Sequence, residues 1–258
     1  MLTMNHTATY YLAALRQFIK ITKGDKGQAV EMADEYLQKN VAVLLLPDAI
    51  RMYGPRQQFH CTEHPNTHAI SSVRFLTTPD KLRRIKNLYK ANLQPGIPKC
   101  VIDEMSHPET FIAENPEWAE SAYVTHLVQD YFWDKWIREK VDVTDRLLDK
   151  FVYKQTGEVV DGATLRKELG PLDNVFFQKI ANAILEEFGV LLNEEWFEKN
   201  VHAVMLALYD EEIAENTWKY INLPSMEAEI ELPAFICKHE LDCAVENLIK
   251  ATTMALFI

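Results

Sequence analysis

Residues that bend or lock a backbone are scarce in this chain, with 8 glycines and 11 prolines among 258 residues. Fibrous repeats and low-complexity disorder need far more of both, so neither describes it. Long apolar runs are absent too. The longest, Val41 to Pro47, falls far short of the 18 or more residues of a spanning helix, and integral membrane association is not expected. The N-terminal stretch lacks an early Lys/Arg region and an A-x-A-like cleavage site, and so does not read as a signal peptide. Cysteine is sparse and scattered, at Cys61, Cys100, Cys237 and Cys243, which predicts buried free thiols in a reducing cytoplasm. Positive charge is the scarcer sign. The 27 Lys and Arg against 38 Asp and Glu leave a net charge of −11, the wrong balance for a general binder of nucleic-acid backbones. Several signatures are missing as well: no adjacent His-Asp pair, no HExxH, no GxxxxGK[ST] and no GxGxxG.

What is present is an ordinary globular composition, 48% apolar and 25% charged, with 12 Phe, 10 Tyr and 5 Trp to build a core. Helical periodicity dominates. Ala8 to Lys23 carries Tyr11, Leu12, Leu15, Phe18 and Ile19 at helical spacing and stops at Lys23-Gly24-Asp25. Lys26 to Leu46 follows, closed by Pro47, and Thr78 to Asn92 is a charged amphipathic helix. Asn115 to Lys140, opened by an Asn cap and Pro116, is the strongest helix of the chain. Asp145 to Val152 is a short element, and Gln155 to Ala163 reads as an exposed turn or small hairpin. Asp173 to Phe188, Glu194 to Asn216 and Pro233 to Leu256 complete the set. No long polar linker divides the chain. The expected fold is therefore all-α, one multi-helix bundle domain over residues 1–258.

His126 and Asp130 lie four apart, which places both side chains on one helix face, one turn from each other. A carboxylate on a buried face needs a partner, and imidazole beside carboxylate suits Zn²⁺, Fe or Mn²⁺. A His–Asp hydrogen bond or a pair of solvent-facing residues would carry the same spacing. A second group adds weight to the metal reading. Pro47-Asp48 ends the apolar helix, Phe59-His60 follows, and His64 and His68 come next. Asp48, His60, His126 and Asp130 make a four-ligand oxygen and nitrogen set. His6 reaches the same end of the bundle, and Asp130 is placed to bridge two ions.

In order and spacing, His6, Pro47-Asp48, Phe59-His60 and Tyr123-Val-Thr-His126-Leu-Val-Gln-Asp130 resemble the zinc-dependent phospholipase C family. That family is all-helical and shares its metal chemistry with the S1/P1-type nucleases. The resemblance covers about residues 1–140, leaving 141–258 as additional packing helices. It implies a metal centre of one or two ions, zinc first and iron or manganese as alternatives. The family's third metal site needs two more histidines and a glutamate soon after the His-x-x-x-Asp helix. Here the next histidine after Asp130 is His202, so the resemblance implies a reduced relative without that site.

A centre of this kind activates water and neutralises charge on a phosphoryl group. The expected activity is hydrolysis of a small phosphorylated substrate, a phosphodiester or a phosphomonoester. Asp134, one turn beyond Asp130, is a candidate to orient a ligand or accept a proton, or alternatively to pair with Arg138. His64 is a candidate ligand or acid. Arg51 and Arg56, between Asp48 and His60, are candidates to hold phosphate or carboxylate, or simply loop residues. The rival class is a non-catalytic helical binding or scaffold protein with a structural metal or none. The sequence assigns no oligomeric state. At the C-terminal end, His239 and Cys243 are four apart but Cys237 and Cys243 are six apart, which predicts buried thiols on an amphipathic helix rather than a second metal site.

Overall fold

The computed structural model describes residues 3–45, 122–145, 150–208, 211–218, 221, 223–224, 232–233 and 235–256. The helix expected over 78–92, and the cap and first turn expected at 115–121, lie outside them.

Helix α1 (Thr3–Ile21) begins a turn and a half earlier than its apolar periodicity predicts, taking in Asn5, His6 and Thr7. From Met4 to Leu15 every side chain is buried, polar ones included. A helix buried on all sides must be an axis of the fold rather than a surface element, and α1 is packed by α2 (Lys26–Leu44), α3 (Ala122–Lys140), α4 (Gly162–Phe188) and α8 (Lys238–Met254). Its C-terminus is closed by Lys23 at φ 53° and Gly24 at φ 97°. The Gly24 N–H donates to the Ile19 carbonyl at 2.9 Å, satisfying an otherwise orphaned acceptor. Asp25 then caps α2 by accepting from the Gln28 N–H at 3.0 Å. On α2, Ala29, Ala33, Leu37, Val41 and Leu44 form one buried stripe.

The all-α expectation needs correction, because a small sheet interrupts the helical bundle. Strands β1 (Val141–Asp145), β2 (Lys150–Tyr153) and β3 (Val159–Asp161) pair antiparallel in sequence order. Asp145 to Val152 is thus not a separate element: Asp145 ends β1 and Lys150 opens β2. The expected hairpin near 155–163 is present, turned by Gly157 at φ 73°, with the Gly157 N–H donating to the Tyr153 carbonyl at 2.8 Å. At the end of β3, Asp161 caps α4, accepting from the Thr164 N–H at 2.7 Å.

Three further boundaries differ from expectation, the simplest being that the last helix begins at Lys238, not Pro233. α4 starts at Gly162, not Asp173, and runs through Pro171. An interior proline costs a helix about 3 kcal/mol, but Leu165 on one side of it and Leu172, Val175 and Phe176 on the other are all buried, so packing holds the two halves in one helix. The helix expected over 194–216 is broken instead into α5 (Glu194–Phe197), a π-helical turn (Glu198–His202), α6 (Ala203–Leu208) and α7 (Glu211–Trp218). Buried Asn200 sits in the π turn, where its side-chain amide donates to the Trp196 carbonyl at 3.0 Å and competes for a helical acceptor. Its oxygen accepts from Gln38 Nε2 at 2.8 Å.

The C-terminal thiols also depart from expectation. Cys237 and Cys243 are free and exposed, not buried. Cys237 is the residue that opens α8, and Cys243 lies on the outer face of that helix, 3.8 Å from His239 Nε2. Both are expected to react with a thiol reagent in the native protein as fast as they do in urea. Mass spectrometry of peptides after brief alkylation checks this, and protection of either thiol in the native state would contradict its placement.

Candidate metal centre

The N-terminal half of α1 and the middle of α3 lie against each other, and they bring together residues 120 or more positions apart in sequence. His6 comes from α1, while His126, Gln129 and Asp130 come from α3. On α3 the one-turn spacing works as expected, with His126 Nε2 3.2 Å from Asp130 Oδ2. The other carboxylate oxygen, Oδ1, lies 3.2 Å from His6 Nε2. The two imidazoles stack at 3.7 Å between ring centroids, 16° from parallel. Both histidine side chains are fully buried, whereas Asp130 keeps 22% of its side-chain surface exposed.

The electrostatics follow from this packing. Burial pushes the Asp130 carboxyl upward, but His126 first and His6 next favour the anion more strongly. The carboxyl is consequently held well below the usual carboxylate range. Asp130 is an anion held at the Nε2 edges of two stacked, buried rings.

The donor set fits a transition-metal ion. Two imidazole nitrogens and a carboxylate oxygen are the chemistry of Zn, Fe and Mn sites, and one ligand atom from each of the three residues lies within 4.8 Å of the others. Donors about 2.0–2.1 Å from a tetrahedral zinc stand about 3.3 Å from one another, close to each 3.2 Å separation taken singly. The two separations end on different carboxylate oxygens, and rings stacked 16° from parallel must turn before both Nε2 lone pairs can meet one ion.

Of the residues singled out in the sequence, His6, His126 and Asp130 are brought together. Asp48, His60, His64, Arg51 and Arg56 lie outside the described residues, as does the side chain of Asp134 on α3. Sequence reasoning missed Gln129, whose Oε1 is 2.6 Å from His6 Nδ1. It also missed Thr252 on α8, which meets Gln129 Nε2 at 3.3 Å. Gln129 follows His126 by three residues, about one turn along the same helix face, and that spacing was the available signal. Among the described residues, no helix is long and apolar enough to cross a membrane.

No family model, curated protein or solved structure matches the chain. The site is accordingly defined by its own geometry: a buried His/His/Asp cluster able to chelate a metal ion.

Proposed function

We propose that this chain is a metal-dependent hydrolase of phosphoric esters, a single domain over 1–258 and a reduced relative of the zinc-dependent phospholipase C family. The observation that carries the reading is the triad itself: two buried imidazoles on the two oxygens of one carboxylate, with one ligand atom from each residue within 4.8 Å of the others. In this reading His6, His126 and Asp130 hold zinc, or iron or manganese in its place, and Asp48 and His60 complete the shell. A bound ion supplies Lewis acidity and a water of lowered pKa. Arg51 and Arg56 would hold the phosphoryl group of a small substrate, while His64 and Asp134 would move protons. The exposed free thiols of Cys237 and Cys243 favour a reducing compartment, and we assign the protein to the cytoplasm on that ground.

The complete burial of both rings also favours a second reading, a structural ion in a binding or scaffold protein, because structural sites are closed by protein ligands. One experiment separates the two. Tag-free full-length protein is assayed for metal by mass spectrometry and for hydrolysis of phosphomonoester and phosphodiester test substrates, beside His126→Ala/Asp130→Ala. The expected result is about one or two equivalents of metal in the wild type, with hydrolysis, and neither in the variant. Metal without hydrolysis points to the structural ion. Absence of metal even after reconstitution removes both readings.

A further inference from the structure

The orientation of one buried amide decides which nitrogen of His6 carries a fixed proton and which faces Asp130. Thr252 Oγ1 donates its hydrogen to the Leu248 carbonyl at 2.9 Å, so towards Gln129, 3.3 Å away, it acts as an acceptor. The His6 backbone carbonyl, 3.4 Å from the same amide, also only accepts. Both neighbours require the NH₂ of Gln129 on their side, which turns Oε1 towards His6 Nδ1, 2.6 Å away. An oxygen there accepts, so Nδ1 must carry the proton. In the neutral ring, Nε2 then presents its lone pair to Asp130 Oδ1 at 3.2 Å. Two lone pairs so close repel unless a cation lies between them, whether a proton or a metal ion. An unconstrained histidine in water prefers the opposite tautomer, with the proton on Nε2, so this state has to be imposed.

We infer that Gln129 and Thr252 are positioning residues that set the His6 tautomer, with Thr252 on α8 aligning the Gln129 amide and Gln129 presenting the His6 Nε2 lone pair to a metal ion. The inference deepens the metal reading above and rests on it for its consequence. The tautomer itself is measurable without metal. Partners of this kind fix the ring and tune its basicity, and their loss typically costs 10–100-fold in metal affinity.

The test uses the full chain in four forms: wild type, Gln129→Met, Thr252→Val and Thr252→Ser. Zinc affinity is read by competition with a chromophoric chelator. Protonation of His6 Nδ1 is read from ring ¹⁵N shifts in metal-free protein, where a proton on Nδ1 is diagnostic whether or not Nε2 is also protonated. Wild type is expected to show the Nδ1–H form. Gln129→Met is expected to shift the population towards Nε2–H and to weaken zinc about 10–100-fold. Thr252→Val, which touches no ligand, is expected to act in the same direction, and Thr252→Ser to restore both signals. A wild-type ring in the Nε2–H form would overturn the inference. So would unchanged tautomer and zinc affinity in folded Gln129→Met and Thr252→Val. If wild type shows the Nδ1–H form but takes up no zinc, the metal reading fails while the tautomer assignment holds, so the two failures are distinguishable. Circular dichroism confirms folding of each variant, and Thr252→Ser covers the case in which Thr252→Val does not fold.

Discussion

Asp130→Ala is expected to reduce zinc content to background and to weaken affinity by more than the 10–100-fold cost of losing an outer partner. Its two oxygens each meet a different buried imidazole, so one substitution breaks both halves of the cluster. Asp130→Asn keeps the shape and removes the charge, and the same loss is expected of it. The two forms also differ in metal-free protein. The Asp130 carboxyl is held well below its ordinary value, because His126 and His6 outweigh the opposing effect of burial. A depressed carboxyl stabilises the fold in full above the ordinary aspartate range, about 3.9, and that contribution disappears as pH falls through the folded value. Metal-free wild type should therefore lose stability in acid more steeply than metal-free Asp130→Asn. Urea denaturation at a series of pH values reads the difference, and parallel curves into acid would mean that Asp130 titrates alike in the folded and unfolded chain.

Phe176→Ala should have the largest effect on stability while leaving the ligands untouched. Phe176 is fully buried, edge-on to Trp133 at 4.8 Å and tilted against Trp136 at 5.5 Å. These three rings fasten the ligand-bearing helix α3 to α4. Truncating a buried phenylalanine costs about 3–5 kcal/mol, which in a chain of this size lowers Tm by about 10 °C. Zinc stoichiometry should survive, because no ligand moves out of reach in the folded fraction. A Tm unchanged within a degree or two would show that the cluster repacks, and loss of metal from folded protein would show that α4 fixes the site as well as the fold.

The helical character of the chain was legible because it rests on local periodicity, and His126 with Asp130 was legible because i,i+4 spacing is itself local geometry. The first turn of α1 was not. Asn5, His6, Thr7 and Thr9 are polar, and nothing in their spacing announces that all four are buried. The strands carried a signal that longer helical patterns overshadowed: Val141-Asp-Val143-Thr-Asp145 alternates with period two. Gly170-Pro171 reads as a break because propensity is local, whereas the packing of Leu165 and Phe176 that overrides it is not. Gln129 escaped for a chemical reason. A search for metal ligands follows titratable side chains, and a neutral amide orients a ligand without being one.

The all-round burial of α1 has a consequence for how the protein is made. Three of the helices that cover α1, namely α3, α4 and α8, follow it by about 100 residues or more, and α8 ends only at Met254. At a synthesis rate of about 5–20 residues per second, α1 leaves the ribosome roughly 10–50 s before its last covering helix exists. For roughly the first 5–25 s of that interval, until α3 is made, Tyr10, Tyr11, Leu12 and Leu15 have only α2 to pack against among these neighbours. The nascent chain therefore presents a sticky amphiphilic segment to the cell, and its yield should depend on holdase chaperones and on translation speed far more than its finished stability would imply.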